Sequence, residues 1–339
     1  MTSYYRPIVQ TDPARPSEAL TLAGGWGWFA MAEMLERDEP PRLVPARAIP
    51  EDWRIALTAP RPAIAGLTMD RPRLMGILNV TPDSFSDGGQ HDRPETALAH
   101  GQALAVDADI LDIGGESTRP GSADVSVSEE IARTAPVIAA LRAAGVSRPI
   151  SIDTRKAAVA EAALAAGADM VNDVAALGFD PDLAGATARA GAAVCLMHAQ
   201  GDPATMQDDP HYDHVLLDVY DFLVERVRAA LAAGIPASRI VIDPGIGFGK
   251  TLAHNLALLR GISLFHGLGC PVLLGASRKR FIGAIGGAET AAARGPGSVA
   301  VALAAIAQGV QFVRVHDAAE TRQAMRLDAA VKGLELGHE

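Results

Sequence analysis

The chain has 339 residues, and its 40 Asp and Glu against 30 Lys and Arg give a formal net charge of −10. This acidic balance excludes a broad binding surface for nucleic acid or for an anionic membrane. The length suits one α/β domain of about 250 residues with an appendage. A composition that is 49% hydrophobic but only 4% aromatic indicates a core of Ala, Val, Leu and Ile.

The apolar runs and the cysteines predict where the chain resides. No run approaches the roughly 18 residues of a membrane span, and the start MTSYYRPIVQ lacks the basic and then apolar layout of a signal peptide. Cys195 and Cys270 lie in or beside apolar, strand-like runs. We expect two buried thiols in a reducing compartment rather than a disulfide. The prediction is a cytoplasmic protein.

Residues 1–72 show no repeating pattern and are rich in Pro and Arg. The stretch WGWFAMAEMLERDE, residues 26–39, predicts one helix, and the segment after EPPRLVP is expected to be extended. We predict an N-terminal extension of unknown role. It either covers the bottom of the domain that follows or forms a separate interaction element.

From residue 73 onward an Ala-rich amphipathic stretch, a glycine and a short β-branched run recur. The glycines are expected to end helices in the left-handed conformation; they are Gly145, Gly167, Gly191, Gly234, Gly269 and Gly309. The predicted strands are RLMGILN, DILDIGG, PISID, DMVNDV, AVCLMH, RIVID, PVLLGAS and FVRVHD. Eight apolar strands alternating with helices predict an α/β fold, a (β/α)8 TIM barrel over residues 73–339. An open doubly wound sheet is the alternative.

Polar side chains stand at the carboxyl end of every predicted strand. In a barrel these ends meet on one face, where the loops after the strands build the active site. One such residue alone is as easily a helix cap, but a full set of acids and bases predicts a ligand pocket. In chain order the set is Asn79, Asp112 with Glu116, Asp153, Asn172 with Asp173, His198, Asp243, Ser277 with Lys279, and Arg314 with His316.

The cations of this set are suited to an anion. Arg314 and His316 alternate on one strand and so point to the same side. Together with Lys279, and with Thr118 and Arg119 of the second loop, they are suited to surround a phosphate or diphosphate. Surface ion pairs are the alternative role.

The stretch DPGIGFGKT, residues 243–251, resembles a phosphate-binding P-loop only superficially. The P-loop pattern requires a glycine where this chain has Pro244. The dinucleotide pattern G-x-G-x-x-G requires a glycine where the chain has Lys250. The glycines therefore serve another turn, and Asp243, which precedes them at a strand end, becomes the residue of interest.

Eight motifs together resemble dihydropteroate synthase, in order from about residue 73 to 326: GILNVTPDSFSDGG, DIGGESTRPG, SIDT, VNDV, CLMH, DPGIGFGKT, SRKRFIG and VRVHD. The resemblance implies a (β/α)8 barrel enzyme of folate biosynthesis. Such an enzyme joins 4-aminobenzoate to 6-hydroxymethyl-7,8-dihydropterin diphosphate and releases diphosphate.

The resemblance also implies roles for individual residues. The pterin positions are Asp153, Asn172, Asp243 and Lys279, with Met197 and Phe248 as apolar walls. The contact to Mg²⁺ is Asn79, and the diphosphate positions are Thr118, Arg314 and His316. The aminobenzoate positions are Ser277 for the carboxylate, with Phe85, Pro120 and Lys279 around the ring.

An SN1-like substitution is the expected mechanism, because an arylamine is neutral at pH 7 and already carries a free lone pair. Mg²⁺ and the diphosphate positions are expected to stabilise the leaving group. Asp153 is placed to favour the cation left on the methylene carbon. Loops one and two are expected to close, with Asp87 paired to Arg119. The predicted catalytic set is Asp87, Arg119, Asp153 and Lys279.

Other interpretations stay open. Asp112 and Glu116 are expected to hold loop two, and His198 fits a structural or a functional role equally. The protein is alternatively a pterin-binding methyltransferase module or a non-catalytic pterin-binding paralogue. The small-molecule substrates are the expected partners, together with a second copy of the chain, since the apolar helix GSVAVALAAIAQG is suited to a homodimer interface.

Overall fold

The computed structural model describes residues 2–81, 93–116, 124–201 and 205–334. Its N-terminal part is a small β structure. A three-stranded antiparallel sheet has the order β1 (Tyr4–Pro7), β4 (Met31–Glu36), β5 (Glu39–Pro45), and a two-stranded hairpin joins β2 (Leu20–Thr21) to β3 (Trp28–Phe29). One helix, α1 (Glu51–Thr58), follows.

Both secondary-structure predictions for this part are wrong. Residues 26–39 form strands rather than a helix, because the stretch pairs with two strands that sequence proximity does not reveal: Tyr4 faces Leu35, and Met31 faces Pro45. These partners outweigh the helix propensity of Ala, Met, Leu and Glu. The segment after residue 45 begins with helix rather than extended chain, in a 3-10 helix at Ala46–Ala48 and in α1, where Glu51 and Asp52 place negative charge in the first turn; residues 59–72 contain no helix.

The remainder is a closed parallel barrel surrounded by helices. The strands are β6 (Arg73–Asn79), β7 (Ile110–Gly114), β8 (Ile150–Asp153), β9 (Met170–Asp173), β10 (Ala193–Met197), β11 (Ile240–Asp243), β12 (Leu273–Leu274) and β13 (Phe312–Val315). The helices are α2 (Arg93–Asp107), α3 (Val127–Ala143), α4 (Ala157–Ala165), α5 (Leu183–Ala190), α6 (Val215–Ala232), α7 (Leu252–Arg260), α8 (Arg280–Gly286), α9 (Gly295–Ile306) and α10 (Ala318–Val331).

The strand order confirms the (β/α)8 prediction over the doubly wound alternative. Neighbouring strands follow the chain from β6 to β11, and β13 joins β6 to β12. The bridge between Ile242 and Val272 closes the ring, with the Ile242 amide donating to the Pro271 carbonyl at 3.0 Å. The six predicted cap glycines all have positive φ, between 62° and 112°.

The barrel interior is filled at its amino-terminal end, which we call the bottom. Its apolar layer comprises Met75, Ile110, Met170, Ala193, Cys195, Val241, Leu273 and Phe312. Ile64 and Met69, from the segment that leads into β6, pack beneath this layer and are 1% and 2% exposed. This segment therefore covers the bottom, one of the two predicted roles of the extension.

The small β structure itself packs against the side of the barrel. Trp53 of α1 stacks on Tyr220 of α6, with ring centroids 5.5 Å apart. The hydroxyl of Tyr4 donates to the Asp221 carboxylate at 2.9 Å, and the Pro7 carbonyl accepts from the Ser263 hydroxyl at 2.8 Å. Aromatic stacking and buried hydrogen bonds thus attach it to α6 and to the 3-10 helix Ile262–Leu268.

Cys195 and Cys270 are both buried and unbonded, which confirms the prediction of free thiols. Among the described residues, no helix combines the length and the apolar character that crossing a bilayer requires.

Candidate active site

The site lies directly above the apolar bottom layer, because side chains alternate in direction along each strand. Side chains two residues apart in a strand point to the same side. Two residues after a bottom-layer side chain, each of five strands therefore presents a predicted or candidate site residue to the interior: Asp112, Asn172, Met197, Asp243 and Arg314. Because the strands form a closed barrel, these inward-pointing side chains meet in one pocket.

Arg314 gathers residues from across the barrel. Its Nε donates to Asp112 Oδ2 at 2.5 Å, and one terminal nitrogen donates to Asp153 Oδ2 at 2.7 Å. Asn172 Nδ2 donates to the same Asp112 oxygen at 3.1 Å. The structure thus brings together the predicted pterin residues Asp153 and Asn172 and the predicted diphosphate residue Arg314, with Asp112 at their centre.

Burial sets the electrostatics of this cluster. Desolvation raises the pKa of Asp153 to about 7, although the charge of Arg314 acts in the opposite direction. Burial also works against the charge on Arg314, but the carboxylates of Asp112 and Asp153 outweigh it, and the pKa of Arg314 lies above its ordinary value. Arg314 is therefore a permanent cation in the pocket, while burial keeps the pKa of Asp153 above its ordinary value.

Asp243 and Lys279 are coupled electrostatically. Asp243 Oδ1 accepts from the Gly245 amide at 2.7 Å. Burial raises the pKa of Asp243, opposed chiefly by Lys279. Burial likewise lowers the pKa of Lys279 to about 8, opposed by Asp243. The Lys279 ammonium donates to the Ile246 carbonyl and lies 4.4 Å from the centroid of the Phe248 ring.

Met197 and Asp243 are register partners in neighbouring strands, so the predicted apolar wall borders the carboxylate. Asn79 approaches Asp153 beside Gly114. A Cβ atom placed on Gly114 would lie 3.7 Å from Asn79 Oδ1 and 3.8 Å from Asp153 Oδ2. These are ordinary van der Waals distances, so Gly114 lies directly against both the amide and the carboxylate.

Ser277 is engaged with His316. Its Oγ accepts from the His316 amide at 3.2 Å and lies 3.0 Å from Nδ1 of the same residue. Arg278, the next residue, is held by an ion pair to Asp317. Ser277 therefore orients the predicted diphosphate histidine, and its predicted contact with aminobenzoate stays a prediction.

Five predicted site residues lie outside the described residues. Loop one after β6 contributes Phe85 and Asp87, and loop two after β7 contributes Thr118, Arg119 and Pro120. Their predicted roles stay predictions.

Asp112, which was expected only to hold loop two, lies in the pocket, whereas Glu116 makes the structural contacts expected of it. Asp112 is fully buried at the centre of the Arg314 cluster, and its Oδ1 has no hydrogen-bond partner among the described residues. The signal that finds it is the alternation from Ile110, which points into the barrel. Glu116 instead accepts from the Val125 amide at 2.9 Å and from Lys156 at 3.1 Å, so it holds the base of loop two.

Fold and site together define a (β/α)8 barrel enzyme whose pocket combines buried carboxylates, an amide and cations. Such a pocket suits a ligand with a hydrogen-bonding heterocyclic edge and an anionic tail.

Comparison with known proteins gives the family. Residues 75–316 match the family described as pterin binding enzyme. The dihydropteroate synthase of Neisseria meningitidis serogroup C is 50% identical over 262 residues, which are 76% of this chain and 92% of the relative. The chain belongs to the dihydropteroate synthase family, as its motifs predicted.

Two solved structures have the same fold. The dihydropteroate synthase of Xanthomonas albilineans with 4-aminobenzoic acid is 51% identical, with a TM-score of 0.76, over 81% of this chain and 99% of that chain. The same enzyme in complex with 7,8-dihydropteroate gives 48% identity and a TM-score of 0.73, over 81% and 100%. The family match begins at residue 75 and therefore does not include the N-terminal extension.

Proposed function

We propose that the chain condenses 4-aminobenzoate with (7,8-dihydropterin-6-yl)methyl diphosphate to give 7,8-dihydropteroate and diphosphate, a transferase step of folate biosynthesis. The observation that carries the proposal is the pocket itself. Arg314 joins Asp112 and Asp153, and Asp243 lies beside Arg314 and interacts electrostatically with Lys279, in a chain that is 50% identical to a dihydropteroate synthase over 262 residues.

The pterin belongs deep in the barrel. A dihydropterin presents adjacent donors and acceptors on its 2-amino-4-oxo pyrimidine edge. Asp243 has one oxygen bonded to Gly245, which leaves the other to accept from the heterocycle. Asn172 and Lys279 supply complementary groups, while Met197 and Phe248 line the ring faces.

The diphosphate belongs beside Arg314 and His316. Arg314 uses Nε and one terminal N–H for Asp112 and Asp153. A guanidinium has five N–H donors, so three remain for phosphate oxygens without releasing either carboxylate. Arg314 therefore binds the leaving group from a fixed position, which is the arrangement that lowers a barrier most effectively.

Mg²⁺ fits beside Asn79. The space next to Gly114 is bordered by one amide oxygen and by the Asp153 carboxylate, and the described residues contain no cluster of three His, Cys, Asp or Glu that would form a complete metal cage. Few protein ligands suit Mg²⁺, which keeps several waters and binds phosphate oxygens. When bound, the ion would neutralise charge on the departing diphosphate.

The chain's own groups then direct an SN1-like substitution. Arg314 and His316 stabilise the diphosphate as the C–O bond breaks. Asp153, when ionised, favours the positive charge left on the pterin methylene carbon. The neutral arylamine attacks with its lone pair, and the ammonium formed releases one proton to solvent, so no covalent nucleophile is required. Asp87 and Arg119 are proposed to pair as loops one and two close; Asp87→Ala should reduce turnover at saturating substrates.

One assay tests the function. Diphosphate release should depend on 4-aminobenzoate and on Mg²⁺, and it should be abolished by EDTA or by Asp243→Ala. Pterin binding without arylamine-dependent release would instead support a methyltransferase module or a non-catalytic paralogue, and methyl transfer to a cobalamin acceptor distinguishes these two.

We further propose a homodimer and a cytoplasmic location. The outward side of α9 carries Ala300, Val301 and Ala304, a small apolar surface suited to a symmetric helix contact. Light scattering should give twice the chain mass, and Ala300→Glu should give the monomer. The two buried, unbonded cysteines support a reducing compartment.

Residues 73–339 are proposed as the catalytic domain, with residues 1–72 as an appended unit. This division is supported by the hydrogen bonding of the N-terminal sheet, whose strands pair with one another and not with those of the barrel.

A further inference from the structure

Lys250 and His198 form a buried contact that the proposed mechanism does not use. Lys250 is 3% exposed and His198 is 5% exposed. Lys250 Nζ lies 2.8 Å from His198 Nδ1, 2.9 Å from the Phe248 carbonyl and 3.5 Å from the His198 carbonyl. The three hydrogens of an ammonium match these three acceptors.

The protonation of the pair follows from its surroundings. Burial lowers the pKa of His198 to about 2, and the neighbouring Lys250 acts in the same direction. The imidazole is therefore neutral, with Nδ1 as the acceptor and the proton on Nε2. Burial and Lys279 lower the pKa of Lys250, while Asp243 raises it. The pair therefore carries at most one positive charge, on the lysine.

The contact lies against the turn that follows Asp243. Gly245 has φ of 68°, and a Cβ atom there would lie 1.8 Å from the His198 carbonyl oxygen. Gly249 has φ of 60°, and a Cβ atom there would lie 2.5 Å from the Gln200 carbonyl oxygen. Residues 245–249 therefore lie directly on the chain that leaves β10, with Lys250 hydrogen-bonded to both segments.

This turn presents two groups to the pocket. The Gly245 amide orients the Asp243 carboxylate, and the Ile246 carbonyl accepts from Lys279. His198 also anchors the strand end directly, because its amide donates to the Asp243 carbonyl at 3.0 Å. The ring of His198 is in turn held edge-on by Phe222, with centroids 4.7 Å apart.

We propose that Lys250 and His198 are a positioning pair, which holds the 245–249 turn so that Asp243 and Lys279 meet the pterin edge. The proposal rests on the proposed function, in that Asp243 and Lys279 bind the pterin. It assigns to Lys250, the residue that resembles a P-loop lysine, the role of ordering backbone rather than of binding phosphate.

The test separates pterin binding from the other steps. Lys250→Met and His198→Leu should each raise the KM for the pterin diphosphate and the Kd for the ligand hydroxymethylpterin roughly 10- to 100-fold, the effect of losing hydrogen bonds to a charged group. The KM for the arylamine substrate should change less than about twofold. His198→Asn places an amide oxygen near the position of Nδ1, so it should recover at least about fivefold of the affinity lost in His198→Leu.

His266→Leu is the matched control. His266 is also a fully buried histidine, but its ring bonds to the Gln308 carbonyl near the bottom of the barrel. It should leave the pterin Kd unchanged even where it lowers stability. The proposal is overturned if folded Lys250→Met and His198→Leu bind pterin like the wild type, or if His266→Leu weakens pterin binding equally. A wild-type protein that binds no pterin would overturn the proposed function as well.

Discussion

Lys279 illustrates how burial determines the chemistry of a single side chain. Desolvation lowers its pKa to about 8, while the charges of Asp243 and Asp153 raise it and that of Arg314 lowers it. The protonated form is the one that donates to a pterin. As the pH rises through about 8, the free enzyme loses that proton, so kcat/KM for the pterin diphosphate should fall. A pH profile of kcat/KM from about pH 6 to about pH 10 measures this limb.

Lys279→Arg provides the matched control, because a guanidinium keeps its charge throughout this range. The variant should bind pterin more weakly, since the planar group does not fit the space of an ammonium, but its profile should lack the limb near pH 8. A limb that persists unchanged in the arginine variant would assign the titration to another group.

Asp112 should prove as important as the residues that the motifs identify. Asp112→Asn keeps one oxygen that can accept from Arg314 and Asn172, but it removes the negative charge opposite the guanidinium, so the charge-assisted hydrogen bond from Arg314 is lost. We expect kcat/KM for the pterin diphosphate to fall roughly 10- to 100-fold, as for a lost hydrogen bond to a charged group.

Asp109→Asn is the comparison for this prediction. Asp109 is a buried carboxylate that immediately precedes β7, but it binds Arg322 and the Leu74 amide at the bottom. The Asp109→Asn variant should be less stable than the wild type, but its KM for the pterin diphosphate should not change. Equal kinetic effects of the two variants would contradict a specific role for Asp112.

At the scale of elements, the N-terminal β structure can pack against the barrel only because position 267 is a glycine. Gly267 lies in the 3-10 helix Ile262–Leu268, and a Cβ atom there would lie 2.2 Å from the Trp53 ring. Gly267→Ala should therefore displace Trp53 from Tyr220 and lower the free energy of unfolding by about 1–3 kcal/mol. Urea denaturation measures the change.

Gly286→Ala tests the same substitution where space is available. Gly286 is exposed in α8, and a Cβ atom there would meet nothing within 4 Å. The variant should be as stable as the wild type or up to about 1 kcal/mol more stable, because alanine restricts the unfolded chain. If Gly267→Ala behaves like this control, the Trp53 contact does not hold the β structure in place.

At the scale of the whole molecule, the barrel separates stability at the bottom from binding at the top. Ile64 is 1% exposed beneath the bottom layer. Ile64→Ala should lower the free energy of unfolding by about 2–5 kcal/mol, through lost burial and a residual cavity. The KM for the pterin diphosphate and the KM for 4-aminobenzoate should both stay within about twofold of the wild-type values.

Ile55→Ala is the control for Ile64, since Ile55 is 58% exposed on α1. Its stability should change by no more than about 0.5 kcal/mol. A pterin KM that moved with Ile64→Ala would show that the bottom layer and the pocket are energetically coupled.

The barrel was predictable because it depends on local, repeated signals. Short apolar runs, glycines that end helices, and polar residues at strand ends are each encoded within a few neighbouring residues. Alternation along a strand places Asp243 and Arg314 on the same side as the bottom layer, and parallel strands bring such residues together. The motifs then identified the family.

Only the tertiary structure decided the features that depend on distant partners. Residues 31–36 become a strand because β1 and β5 pair with them, although their composition favours a helix. Asp112 becomes central because Arg314, 202 residues away, reaches its carboxylate. Lys250 meets His198 across 52 residues. Each outcome is set by the free energy of a contact between segments, and no local pattern in the sequence encodes that free energy.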